Sequence, residues 1–198
     1  MRCFFTACAV AALAAGCSPS EDQAKKNAQT NTETATVTAP APAQIAPVAT
    51  EAPSGDYKID KAHTSIVFRV NHIGFSNYTA QFTGIDGTLK LDVKDPTQSS
   101  LTATVDPRSL SINAPPAGFL DTLLGDKWLR AVAFPMMTFR STKIELTGPN
   151  TARITGDLTL RGATHPVTLD ATFNGGYAGH PYDPNARVGF SARGSLKR

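Results

Sequence analysis

The sequence predicts an all-β protein built from antiparallel strands. Apolar and polar residues alternate over residues 64–72 and again over residues 153–160. A period of two is typical of half-buried strands. Residues 161–166 are a predicted turn that leads into a further alternating run, residues 167–173, so two antiparallel strands face one interior. A hairpin of this kind is typical of a β-sandwich or a β-barrel.

The same period predicts seven strands, separated by glycine, proline and asparagine residues that favour bends and turns. They lie near residues 57–72, 82–93, 101–106, 136–142, 152–161, 165–173 and 187–197. If fully extended, the first of these segments is roughly 55 Å long at about 3.3 Å per residue. It is therefore expected to coil around a barrel or to be interrupted.

A helix is predicted in one segment, Ala117 to Ala131, where large apolar residues recur at helical spacing. Gly118 and Gly125 oppose that assignment because glycine weakens a helix interior. The segment could cap the open end of a barrel or pack under a sheet, and the sequence leaves both possibilities open.

The first 54 residues are not expected to be part of the folded domain. Residues 1–16 combine one arginine with an apolar run and predict a secretory signal, which is too short for a permanent membrane span. Leu13-Ala-Ala-Gly-Cys17 resembles a bacterial lipobox, which predicts lipidation of Cys17 at the mature N-terminus. The alternative is a conventional signal in which Cys17 is incidental.

Residues 17–54 are rich in Ala, Pro and Thr and predict a disordered tether. At this length its root-mean-square span is on the order of 35 Å. The folded domain is then residues 55–198. Because Ser18 stands where a retention aspartate follows the cysteine in enteric bacteria, the lipobox resemblance implies a periplasm-facing protein anchored in the outer membrane.

Composition and motifs indicate neither nucleic-acid binding nor catalysis. The chain has 19 Lys and Arg against 16 Asp and Glu, and these charges are scattered instead of forming a basic stripe. The sequence lacks the nucleophile elbow of hydrolases, a glycine-rich phosphate loop and a His-Glu-x-x-His motif. The histidines are dispersed at positions 63, 72, 165 and 180, so no metal site or other cofactor is predicted.

Several of these segments resemble the YceI-like family of secreted bacterial proteins. The matching segments are residues 57–60, 63–72, 84–88, 134–139, 155–162 and 165–167, and the resemblance spans about residues 56–198. It implies a lipocalin-like β-barrel that binds a polyisoprenoid lipid and does not catalyse a reaction.

The resemblance assigns a lipid-binding role to the apolar inner face of the barrel. Alternation places on that face Ile66, Phe68, Val70, Phe82, Leu89, Leu91, Met137, Phe139, Leu158, Leu160, Leu169, Phe173 and Phe190. His72 and Arg130 are candidates for contacting a polar head group. Two rival interpretations remain: a structural or stress-related envelope protein with a filled core, and an enzyme that acts on such a lipid.

The last predicted strand continues its alternation to the final residue, Arg198. Because the family usually continues with a further hairpin, the resemblance implies a C-terminally incomplete barrel. The alternative is a short natural variant with a half-open barrel. An unpaired apolar edge favours association, so a homodimer is a further expectation.

Overall fold

The computed structural model of the chain describes residues 44–197. This part of the chain forms antiparallel strands, one short α-helix and two single-turn 3-10 helices. The strands are β1 (Gly55–Lys58), β2 (Ile66–His72), β3 (Ser76–Phe82), β4 (Ile85–Leu91), β5 (Ser100–Val105), β6 (Leu110–Ile112), β7 (Met137–Gly148), β8 (Thr151–Leu160), β9 (Ala163–Tyr177) and β10 (Arg187–Gly194), and the helix is α1 (Phe119–Leu124).

The strands form two antiparallel sheets, which confirms the predicted fold class. Seven strands pair in the order β1-β4-β5-β7-β8-β9-β10, and β2, β3 and β6 form a second sheet. The larger sheet is curled into a half-barrel. Its first and last strands approach each other where the Arg187 guanidinium, at the start of β10, lies 3.1 Å from the Asp60 carboxylate just after β1.

The predicted hairpin is present as β8 and β9, which pair from Leu160 opposite Ala163 onward. Arg161 and Gly162 both have positive φ angles, 53° and 78°. Two central residues with positive φ are typical of a turn whose twist matches that of paired strands. The Phe134 ring lies over Gly162, where an added Cβ would be 2.8 Å from it.

The first predicted strand is interrupted, one of the two expected outcomes. The Asp60 carboxylate accepts a hydrogen bond from the Ala62 amide at 3.0 Å, and the Asp60 carbonyl accepts one from the His63 amide at 3.2 Å. This turn directs β1 into the larger sheet and β2 into the smaller one.

Two strands, β3 and β6, were not predicted. The chain bends sharply between β3 and β4 at Gly84, whose carbonyl accepts a hydrogen bond from the Asp106 amide at 2.9 Å. A Cβ on Gly84 would lie 2.8 Å from the Ser109 side chain, so this close approach requires glycine. The corner separates β3 from β4, so the predicted strand at residues 82–93 begins with a residue of β3, Phe82.

The helix is shorter than predicted, with six residues in place of 117–131. Gly118 precedes it with a φ of 72°, and Gly125 ends it in an extended conformation. The chain then folds back, because the amides of Leu129 and Ala131 donate to the carbonyls of Leu123 and Leu124, each at 2.9 Å. The two glycines therefore set the limits of α1.

Residues just before residue 55, the predicted start of the folded domain, already contact that domain. The Val48 amide donates to the Pro149 carbonyl at 2.7 Å, and Ala52 is only 2% exposed. Gly176 packs closely against Ala52, because an added Cβ on Gly176 would be 2.9 Å from the Ala52 side chain. The predicted signal, Cys17 and the tether up to residue 43 lie outside the described residues.

Candidate functional site

The inner face of the smaller sheet carries a row of aromatic residues. The Phe68 and Phe82 rings stack with their centroids 5.3 Å apart. Val70 is paired opposite Tyr78, and the Tyr78 ring meets the edge of Phe119, in α1, at 5.9 Å. The helix therefore packs against this face of the smaller sheet, which is compatible with both predicted positions of the helical segment. Tyr78 was not among the predicted residues because β3 was missed, although Tyr78, Ala80 and Phe82 do alternate.

The inner face of the larger sheet continues this apolar surface. Phe139 is paired opposite Leu158 in β7 and β8. Phe173 and Phe190 are paired in β9 and β10, with ring centroids 5.3 Å apart. The half-buried residues on this face include Leu89, Leu158, Leu160, Leu169 and Phe173.

Burial divides the predicted lining into a closed region and an open one. Met137 is 9% exposed and packs with Ile85 and Val105, and Phe82 and Leu160 contact this cluster. The closed region is thus a filled core, and the buried Leu91 and Phe139 have a similarly low exposure.

The open region consists of inner-face residues that keep contact with solvent. Ile66 is 41% exposed and Phe190 is 45% exposed, although both lie on the inner face. Phe68, Val70 and Phe173 are half-buried. Apolar area left in contact with water favours a further apolar group that would cover it.

The two head-group candidates differ in their surroundings. His72 is exposed at the end of β2, with its ring 6.5 Å from that of Tyr78. Arg130 is half-buried, with its Nε 3.8 Å from the Asp126 carboxylate and its Cζ 5.2 Å from the centre of the Phe134 ring. An anionic head group would therefore share the Arg130 guanidinium with Asp126.

Comparison with known proteins agrees with this arrangement. Residues 57–198 match the YceI-like domain. Protein YceI of Escherichia coli O157:H7 is 37% identical over 153 residues, an alignment that covers 75% of this chain and 76% of the relative. A UPF0312 protein of Yersinia pestis is 35% identical over 151 residues, with the same coverage of 75% and 76%. The chain belongs to the YceI-like family.

Solved structures support the fold of this YceI-like domain. Burkholderia cenocepacia BcnA is similar with a TM-score of 0.53 at 28% identity, covering 58% of this chain and 70% of that chain. The Campylobacter jejuni YCEI protein is similar with a TM-score of 0.52 at 28% identity, covering 69% of this chain and 77% of that chain. The family resemblance and the antiparallel, barrel-type fold predicted from the sequence are both confirmed.

A charged cluster, which the sequence analysis missed, joins two loops of the YceI-like domain. The Arg187 Nε donates to Asp183 at 2.6 Å, and a second guanidinium nitrogen donates to Asp60 at 3.1 Å. The His63 ring nitrogen lies 3.0 Å from the same Asp60 carboxylate. Hydrogen bonds from Arg187 and Asn185 lower the pKa of Asp183 to about 2. The carboxylates are engaged by cationic partners, so the cluster is better suited to holding the loops together than to proton transfer.

The composition of residues 44–197 bears on two other kinds of site. Among these residues, no three His, Cys, Asp or Glu side chains are grouped so that they could bind a metal ion. The same part of the chain contains no helix that is long and apolar enough to span a bilayer.

Proposed function

We propose that this YceI-like protein binds, transports or stores an isoprenoid or similar long-chain amphiphilic lipid in the bacterial cell envelope, without catalysis. One observation carries the proposal: the inner face is apolar over both sheets, yet part of it is open, with Ile66 at 41% and Phe190 at 45% exposure. Membership of the YceI-like family supports a role of this kind.

The energetics favour an apolar chain as the ligand. Each methylene group moved from water to an apolar surface contributes roughly 0.8 kcal/mol, so a polyprenyl chain gains well over about 10 kcal/mol before the cost of ordering it. An apolar face discriminates by length and girth more than by chemistry. We therefore expect selection by chain size, with His72 and Arg130 as candidate contacts for a polar end.

The buried cluster of Ile85, Val105 and Met137 favours a second candidate function. If the whole interior were filled in this way, the protein would be a structural or stress-related envelope protein without a ligand. The open region around Phe68 and Phe190 argues against that interpretation. The two candidates differ in one measurable property, which is the presence of lipid in the purified protein.

Localisation is a further part of the proposal. We expect a periplasm-facing protein that is attached to the outer membrane through a lipid on Cys17. The sequence around Leu13-Ala-Ala-Gly-Cys17 supports this location. The covalent anchor and the reversibly bound lipid would be separate molecules.

Native mass spectrometry, followed by solvent extraction, tests the binding proposal on protein purified from its own envelope. We expect a complex with a long-chain lipid that extraction removes, whereas a covalent lipid on Cys17 stays with the protein. A Cys17→Ala variant serves as the control, because lipid extracted from it cannot originate from the anchor. If both proteins contain no extractable lipid, the ligand-binding proposal is wrong.

A further inference from the structure

The turn between β2 and β3 exposes two large apolar side chains. Ile73 is 73% exposed and Phe75 is 89% exposed. The turn itself is ordered by hydrogen bonds, because the Phe75 amide donates to the His72 carbonyl at 3.1 Å and the Gly74 amide donates to the Asn71 side chain at 2.9 Å. The Gly74 and Phe75 amides thus have hydrogen-bond acceptors within the turn, whereas the Ile73 and Phe75 side chains are exposed to solvent.

Ile73 occupies an unfavourable backbone conformation for its residue type. Its φ angle is 50°, in the left-handed region that β-branched residues rarely adopt. Asparagine tolerates this region and would also be more compatible with water. The turn therefore carries an isoleucine that benefits neither the local backbone nor the solvent-exposed surface. A contact outside the domain would account for this choice.

The charges of the hairpin indicate the kind of partner. The sequence contains no Asp or Glu between Asp60 and Asp86, and the charged residues of this stretch are Lys61 and Arg69. Arg69 is exposed on β2, whereas the Lys61 ammonium lies 2.6 Å from the Asp86 carboxylate. Apolar side chains at the tip, with the exposed Arg69 behind them and no acidic residue on β2 or β3, fit a bilayer that contains anionic lipids.

We propose that the β2–β3 turn docks on such a bilayer and inserts Ile73 and Phe75 into the boundary between head groups and acyl chains. This inference rests on the proposed function. β2 leads from the open inner face at Phe68 and Val70 directly to the turn. Docking there would let a lipid move between the bilayer and the apolar face with little exposure to water.

Vesicle co-sedimentation tests the docking surface, with the full chain carrying Cys17→Ala in every variant so that the N-terminal segment is identical. The probes are vesicles of mixed phosphatidylethanolamine and phosphatidylglycerol, compared with vesicles of phosphatidylcholine alone. The variants are Phe75→Ser and Ile73→Asn. The matched control is Tyr182→Ser, because Tyr182 is 93% exposed but lies next to Asp183.

We expect Phe75→Ser and Ile73→Asn each to weaken binding to the mixed vesicles by about tenfold, since each removes one inserted apolar side chain. Tyr182→Ser should bind as the parent protein does. Binding of the parent should be weaker to phosphatidylcholine alone. Ile73→Asn should also raise the melting temperature, because it relieves the backbone conformation, and this shows that weaker binding is not a result of misfolding.

Unchanged vesicle binding in both turn variants overturns the proposal, and so does an equal loss in Tyr182→Ser. If Phe75→Ser instead dissociates a dimer and leaves vesicle binding unchanged, the turn is a contact between two copies of the chain and the proposal is wrong. Native mass spectrometry of the same samples distinguishes a failure of the docking proposal from a failure of the lipid-binding proposal. Bound lipid with unaltered vesicle binding refutes docking alone, whereas docking without any bound lipid refutes the lipid-binding proposal.

Discussion

Two inner-face residues, Phe68 and Met137, represent the open and the closed region of the interior. Phe68 is half-buried and stacks on one neighbour, Phe82, at 5.3 Å. Met137 is 9% exposed and packs in the cluster with Ile85 and Val105. A bound lipid would contact the first side chain and not the second, so their truncation separates ligand binding from core packing.

Phe68→Ala is expected to cost less than the about 3–5 kcal/mol typical of a buried phenylalanine, and to change the length distribution of the bound lipid. Met137→Ala should cost about 2–5 kcal/mol and leave that distribution unchanged. Thermal unfolding and mass spectrometry, before and after delipidation, measure both effects. If Phe68→Ala lowers the free energy of unfolding by the whole of about 3–5 kcal/mol, and no sample contains lipid, the interior is a packed core.

Gly156 in β8 is required by the packing of the neighbouring strand. An added Cβ would lie 2.5 Å from the Phe139 ring, and it would be about equally close to the Arg140 carbonyl oxygen. Gly156→Ala should therefore destabilise the domain by about 1–3 kcal/mol in urea unfolding. Gly189→Ala is the control, because its nearest neighbour would be at 3.6 Å, and its effect should stay within about 0.5 kcal/mol. Equal effects of the two substitutions would contradict this account.

Alternation in the sequence predicts which face a side chain occupies but not how deeply it is buried. Met137 and Phe190 satisfy the same pattern, yet they are 9% and 45% exposed. Burial depends on where each strand lies in the curled sheet, and this follows from contacts between residues far apart in sequence. The apolar face could therefore be predicted from residues alone, whereas its division into closed and open regions could not.

At the scale of elements, the loop between β9 and β10 is joined to the turn after β1 by charged groups. Arg187 bridges Asp183 and Asp60, with contacts of 2.6 and 3.1 Å. The pKa of Asp183 falls from an ordinary 3.8 to about 2, chiefly because Arg187 hydrogen-bonds to the ionised carboxylate. A lowered pKa means that the folded state favours the charged form. This contribution to stability is present above about pH 4 and is lost as the pH falls to about 2.

Asp183→Asn should therefore lower stability near neutral pH and reduce the acid dependence of unfolding. The difference in melting temperature between wild type and variant is expected to shrink as the pH falls from about 4 to about 2. Asp170→Asn is the control, because the Asp170 side chain is 80% exposed and lies 3.8 Å from Arg153. A difference between wild type and Asp183→Asn that stays constant over this pH range would show that the ionised Asp183 carboxylate does not stabilise the fold.

Local elements were predictable from the sequence, whereas elements defined by distant partners were not. The hairpin of β8 and β9 depends on one turn, Arg161-Gly162, and on alternation in adjacent residues. β3 has only three apolar alternating positions, one of them Ala80, and depends on β2 and β6 for its pairing. The helical pattern of residues 117–131 correctly indicated an apolar segment, but Gly125 ended the helix after six residues.

At the scale of the whole molecule, the inner face combines strands that lie far apart along the chain. Phe68 is in β2, and its sheet pairs separately from the one that contains Phe173 and Phe190. The Asp60–Arg187 contact brings the two ends of the larger sheet together. All of these strands lie within residues 44–197, so we expect anchoring through Cys17 and lipid binding to be separable.

Replacement of Cys17 tests that separation. Cys17→Ala should move most of the protein from the membrane fraction to the soluble periplasmic fraction, because a covalent lipid anchor would be lost, while the amount of extractable lipid per protein stays the same. Cys8→Ala is the matched control, because Cys8 lies in the predicted signal and should have no effect on either quantity. Fractionation, intact mass and lipid extraction on the three proteins give the result.

An unmodified wild-type protein in the soluble fraction would show that Cys17 is not an anchor. A loss of extractable lipid in Cys17→Ala would instead show that the interior is loaded only when the chain is held at the membrane.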